Sequence, residues 1–199
     1  MSSKRGTKDT YSWLDVDMTE TNLIAIVGSL RSGSVNRAIA RAAIALTPAD
    51  VTLSILPIAD LPLYNGDVEE RGLPESVDAL HEAVAAADGV IFFTPEYNSS
   101  LPAVTKNVID WLSRPPTSLE GKPFAAVATT PGGRAGAGVL GHIADIYDHM
   151  SDRYPRFESL GIGGYPAKLD EAGELADPDA RAELAEWLGR FVDFVAANR

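Results

Sequence analysis

"NLIAIVGSLRSGSVNRAIARAAIAL", residues 22–46, decides the fold. It opens on an apolar run too short for a buried helix and suited to a buried strand. It closes on alanine and isoleucine at helical spacing. Between them lies "GSLRSGSVNR", residues 28–37, with Arg31, Arg37, two glycines and several small hydroxyl or amide side chains. A strand that passes through a short loop into a helix is the first half of a βαβ unit.

The same alternation continues along the chain. "NLIAIVGS" predicts a first strand and residues 34–46 a helix. "VTLSIL" at 51–56 predicts a second strand, and 73–87 a helix opened by Pro74 and Glu75. "GVIFFTP" at 89–95 is a third strand, followed by a helix over 103–113. "FAAVATT" at 124–130 is a fourth, followed by a helix over 138–150. "RFESLGIGG" at 156–164 reads as a weaker fifth strand, and 178–197 as a last helix, amphipathic through Leu184, Trp187, Leu188, Phe191, Val192 and Val195. Near-continuous apolar strands alternating with helices require a parallel sheet covered on both faces. Five of them predict a three-layer α/β fold of the flavodoxin-like type, strand order 2-1-3-4-5. Residues 1–21 lack periodicity and read as a flexible leader, leaving a single domain over 22–199.

Such sheets bind ligands beyond the carboxyl ends of their strands, where the strand order reverses. Here that point lies between the first and third strands. The loops gathered there are "GSLRSGSVNR", "TPEYNSSLP" and "TTPGGRAGAG". The chain has a net charge of −11, which argues against a nucleic-acid or anionic-membrane surface. In such a chain a pair of arginines in one loop stands out. Cysteine is absent, so the chain offers no disulfide and no thiolate metal site; a reducing cytoplasm fits this composition.

The first loop feeds a helix N-terminus, where unpaired N–H groups and the helix dipole favour an anion. Gly28 and Gly33 allow close approach of the backbone, Ser29, Ser34 and Asn36 offer hydrogen bonds, and Arg31 offers a bidentate contact. A plain alternative is that Ser34 only caps the helix. Gly28 and Gly33 have P-loop spacing, but Ser34 stands where a P-loop has lysine, which removes an NTPase reading. Gly136, Gly138 and Gly141 match G-x-G-x-x-G without the acidic residue that would follow, and read as a loop and helix start. His81, His142 and His149 show no metal or triad spacing, and read as solvated or structural. A single terminal phosphate in this type of crevice points to FMN.

Together, "GSLRSGSVNR", "TPEYNSSLPAVTKNVIDW" and "GKPFAAVATTPGG" resemble the signature segments of the NADPH-dependent FMN reductase family, closely over residues 22–135. The resemblance implies that Ser29, Arg31, Ser34 and Asn36, with Val35 between the last two, hold the FMN phosphate. It implies that Pro95, Glu96, Tyr97 and Asn98 form the turn along the isoalloxazine and ribityl chain, and that Thr130, Pro131, Gly132 and Gly133 close the far side of the ring. The helix carrying Pro102, Lys106, Asn107, Asp110 and Trp111 would enter a homodimer or homotetramer interface, with Arg114 reaching a partner's cofactor region. The activity implied is hydride transfer from NADPH or NADH through FMN to a quinone-like or other small oxidised acceptor, with no catalytic side chain and no metal. A flavodoxin-type electron carrier, whose acidity would suit a basic redox partner, and a cofactor-free scaffold are the competing readings. Two departures stand out. The family pattern has leucine where this chain has Thr105, a polar residue placed to alter a subunit contact, and residues 139–166 do not follow the family.

Overall fold

The computed structural model describes residues 21–150 and 153–199. The leader read over 1–21 therefore lies outside the described residues, except Thr21, which opens the first strand. The chain runs β1 (Thr21–Val27), α1 (Val35–Leu46), β2 (Val51–Leu56), α2 (Gly66–Glu69), α3 (Glu75–Ala86), β3 (Gly89–Thr94), α4 (Ala103–Leu112), β4 (Phe124–Thr129), α5 (Ala137–Met150), β5 (Leu160–Ile162), a 3-10 turn (Tyr165–Ala167) and α6 (Pro178–Ala197). The five strands form one parallel sheet in the order β2-β1-β3-β4-β5, as the alternation predicts.

Successive side chains of a strand point to opposite faces, so a strand buried on both sides must be apolar at every position. Every residue of β3 and β4 is buried. Ile91, Phe93, Ala125 and Val127 face α1 and α6, where Ile39, Leu184, Trp187 and Phe191 pack. Val90, Phe92, Phe124 and Ala126 face α3, α4 and α5, against Leu80, Val84, Ile109, Trp111, Ile143 and Tyr147. These are the three layers.

The fifth strand is shorter than the stretch "RFESLGIGG" predicts. Phe124 pairs with Arg156, and Val127 with Leu160. Three steps on β4 thus match four on the other side, so one residue bulges out. The reason lies on α6. The Glu158 carbonyl accepts from the Trp187 indole N–H at 2.9 Å instead of serving the sheet. Trp187 in turn stacks on Phe191 with centroids 5.7 Å apart. The short α2 and the 3-10 turn were not legible as elements. Helix α2 is held by its Asn65 cap, which accepts from Asp67 N. His81 is structural and buried, its Nδ1 2.9 Å from Ser118 Oγ.

Tyr147 is fully buried between Phe124 and Tyr154, and its hydroxyl has no hydrogen-bond partner. Burial, with Tyr154 beside it, raises its pKa far above the ordinary tyrosine value. Removing an unsatisfied buried hydroxyl while keeping the ring relieves a desolvation penalty. Tyr147→Phe is expected to stabilise the fold by about 1 kcal/mol, read as a rise in the urea midpoint at unchanged slope.

Candidate functional site

Three loops leave the carboxyl ends of β1, β3 and β4 on the same side of the sheet. The first begins at Gly28, whose N–H extends the ladder to Phe93 O at 2.8 Å. Its α-carbon lies against α4: a Cβ there would stand 2.0 Å from Thr105 Oγ1 and 3.1 Å from Thr94 Oγ1. Those two hydroxyls are buried and lie 3.2 Å apart. Thr105 is thus an internal residue beneath the first loop, which corrects its placement at a subunit contact.

The loop then turns, Ser34 N donating to Arg31 O, and Ser34 caps α1 by accepting from Arg37 N at 3.3 Å. No acidic residue lies in the first turn of α1. Ser29, Ser34 and Asn36 are buried, while Arg31 is exposed and has no ion-pair partner among the described residues.

The second loop is a tight hairpin. Tyr97 and Ser100 exchange both backbone hydrogen bonds at 3.0 Å. Asn98 and Ser99 between them have φ of 50° and 59°, the signature of a type I′ turn. Tyr97 is left 48% exposed at its base. The third loop folds back over β5: Thr130 N donates to Ile162 O, and Thr130 Oγ1 to Gly132 O. A Cβ on Gly161 would meet Ala135 O at 2.2 Å, and one on Gly163 would meet Gly132 O at 2.8 Å. Glycine at both places lets this loop lie flat on the sheet edge.

A crevice of about 250 Å³ opens among these loops. Of the residues singled out by sequence, Ser29, Arg31, Ser34, Val35 and Asn36 line it from the first loop. Pro95, Glu96 and Tyr97 line it from the second and Pro131 from the third. Asn98, Thr130, Gly132 and Gly133 do not line it. Asn98 forms the hairpin tip, Thr130 is buried in the third loop, and the two glycines lie exposed beside Pro131. Three lining residues were not singled out as site residues: Gly33, Thr129 and Tyr165. Asn36 Oδ1 and Thr129 Oγ1 are buried there without a partner. Native proteins rarely leave such atoms unpaired, and these two stand in residues that line the crevice.

Along α4, Lys106 pairs with Asp110 on the surface, and Trp111 is core, its indole N–H donating to Pro62 O at 2.8 Å. Arg114 reaches its own chain: Nε lies 3.1 and 3.2 Å from the two oxygens of Glu69, with the guanidinium 5.7 Å from the Tyr64 ring centroid. The Tyr64 hydroxyl, donating to Glu69 at 2.9 Å, and then Arg114 hold the Glu69 carboxyl below its usual range.

A doubly wound parallel sheet with an anion-receptive loop at its switch point defines a flavodoxin-like α/β nucleotide-binding protein. The chain belongs to the NADPH-dependent FMN reductase family, whose model matches residues 21–159. It is 40% identical over 181 residues to a quinone reductase of Escherichia coli K12, covering 87% of this chain and 94% of that one. It is 31% identical over 179 residues to a 2-hydroxy-1,4-benzoquinone reductase of a Burkholderia species, covering 89% and 97%. Among solved structures, a flavoenzyme NAD(P)H:(acceptor) oxidoreductase from Paracoccus denitrificans superposes with a TM-score of 0.77 at 29% identity, covering 89% of this chain and 98% of that one.

The packing at Gly28 is open to test. Gly28→Ala forces overlap with Thr105 and is expected to destabilise by about 1–3 kcal/mol, the range of overpacking. Adding Thr105→Ala removes the blocking hydroxyl and is expected to recover part of that loss. A double-mutant cycle on urea unfolding reads the coupling.

Proposed function

We propose that the chain is an FMN-dependent NAD(P)H oxidoreductase with a quinone-like acceptor, working in the cytoplasm as a homodimer. The observation that supports this most directly is the meeting of the three loops at one crevice, with an anion cradle inside a strongly acidic protein. FMN fits the residues present. The α1 N-terminus, Ser29, Ser34 and Arg31 suit its single terminal phosphate. Asn36 Oδ1 and Thr129 Oγ1, buried and unpartnered, suit a polyol whose hydroxyls donate. Bound FMN would supply the two-electron transfer chemistry that no side chain here provides.

The chain's own residues bind and orient. Arg31, exposed and lining the crevice, would pair with the phosphate of bound FMN. Tyr97, half exposed in the crevice lining, would offer its flat ring to bound FMN beside the hairpin. From the third loop only Pro131 reaches the crevice, and Gly132 and Gly133, exposed beside it, would have to draw in for their backbone N–H groups to meet the pyrimidine end of bound FMN. No side-chain acid or base is assigned a role. NADPH or NADH and the acceptor then use the open side of the same crevice in turn. An electron carrier or a cofactor-free scaffold would have no need of that shared open face, and membership of a reductase family favours the enzyme.

Homodimer assembly through α4 is part of the same proposal. Leu63, beside α4, is 75% exposed, an unusual position for a leucine in a free surface loop that is otherwise pinned down. The Tyr64 N–H donates to Asn107 Oδ1 at 2.7 Å, and Asn107 Nδ2 donates to Pro62 O at 2.9 Å.

Under argon, the visible flavin bands of FMN-loaded protein should bleach on adding NADPH or NADH and return on adding benzoquinone; bands that persist would remove the reductase reading. Arg31→Ala is expected to weaken FMN binding by about tenfold or more, the scale of a lost charge-assisted contact, in a fluorescence-quenching titration. Light scattering should give twice the 21.2 kDa of one chain, and Leu63→Glu should return the single-chain mass.

A further inference from the structure

We propose that Glu96 is a positioning residue, whose carboxylate latches the hairpin at 97–100 to the N-terminus of α5 and so fixes where Tyr97 stands. The inference rests on the oxidoreductase reading only for its consequence; the latch is a property of the chain alone. Glu96 leaves β3 directly after the buried Pro95. Glu96 borders the crevice, and its Oε2 accepts from Val139 N, in the first turn of α5, at 2.9 Å. That amide is one of those a helix cannot satisfy within itself. Helix α5 has no acidic residue in its first turn. Its negative partner comes instead from another loop, and the helix dipole favours that charge.

Gly138 makes the contact possible. A Cβ there would stand 2.8 Å from Glu96 Oε2 and 2.8 Å from Ser99 O, so only hydrogen fits between helix and hairpin. One turn along α5, His142 Nδ1 lies 2.9 Å from Ser100 Oγ, a second polar contact on the same face. The hairpin needs holding. Asn98 and Ser99 both occupy the left-handed region, a conformation that persists where the surroundings impose it. Glu96 precedes the hairpin and Ser100 ends it, and α5 grips both ends. Tyr97 is therefore set against the crevice by a carboxylate committed to the α5 N-terminus.

Hydrogen exchange on FMN-free protein tests the latch without any ligand. The reporters are the amides of Tyr97 and Ser100, which close the hairpin. In Glu96→Ala and Gly138→Ala both amides should exchange about tenfold faster or more, the scale of a lost charge-assisted hydrogen bond. Glu96→Gln, whose amide oxygen still accepts from Val139 N, should stay within about threefold of wild type on the same scale. FMN titration should follow the same order, with glutamine rescuing most of what alanine loses. Wild-type protection of both amides in Glu96→Ala and Gly138→Ala would overturn the proposal. So would glutamine exchanging like alanine while Gly138→Ala exchanges like wild type. If Glu96→Ala does not fold, the Gly138→Ala and Glu96→Gln pair decides. A wild-type protein that binds no FMN would sink the oxidoreductase reading and leave the exchange result to judge the latch.

Discussion

Nothing larger than hydrogen fits on the α-carbon of Gly28, and the crevice is arranged around that limit. The Thr105 hydroxyl fills the space a side chain would take, and it lies within hydrogen-bond distance of Thr94. Strand β1, strand β3 and helix α4 are thereby brought into contact at the point where the first two loops depart. A side chain at residue 28 would lift the first loop from α4 and carry the α1 N-terminus, with Ser34 and Asn36, away from the hairpin. The cradle's depth thus follows from a packing constraint between elements far apart in sequence. Thr105 keeps a compact, hydrogen-bonding group under Gly28, where a longer side chain would have to find other space.

Electrostatics makes the first loop conspicuous. The chain is strongly acidic, and many of its cations are already matched: Arg41, Lys106, Arg114, Arg153, Arg156, Lys168, Arg190 and Arg199 each lie against a carboxylate. Exposed pairs of this kind add little stability. Their effect is to leave few cations uncommitted. Arg31, Arg37, Arg71, Lys122, Arg134 and Arg181 have no such partner among the described residues, and three of these, Arg31, Arg37 and Arg134, lie in the loops, or the helix start, at the carboxyl end of the sheet. An incoming anion therefore meets local positive charge in a protein whose overall field repels it. That contrast favours a ligand whose phosphate enters at this end.

The legible and illegible parts of the molecule divide along one physical line. Strands β1, β3 and β4 could be read because burial on both faces leaves an unbroken apolar run. The first loop could be read because glycine, serine and arginine together have few structural uses. The start of the fifth strand could not, since its register is broken by Trp187, some thirty residues away on α6. Thr129 was missed because a buried threonine at a strand end looks like ordinary strand composition; only its orphaned hydroxyl marks it. Thr105 was placed at a subunit contact because a polar residue on a helix reads as exposed, and its burial depends on Gly28 and Thr94. The hairpin at 97–100 was read as a turn, but not as a type I′ turn, because Asn-Ser lacks the glycine that usually announces one.

The family match runs through residue 159, so most of 139–166, read from sequence as departing from the family, follows it, and Tyr165 lies just beyond. That stretch includes β5, whose glycines are fixed by contact: Gly161 against the Ala135 carbonyl and Gly163 against that of Gly132. A larger residue at either position would raise the third loop and spoil the crevice floor. Tyr165, one turn further on, is tied only through its backbone, N–H to Thr130 O at 3.4 Å, while its side chain borders the crevice. The family match ends at residue 159, just before these positions. Packing here is thus fixed at the two glycines on which the third loop rests and unfixed at Tyr165. A change at Tyr165 alters the border of the crevice without touching the contacts that seat the loop, whereas a change at either glycine disturbs both.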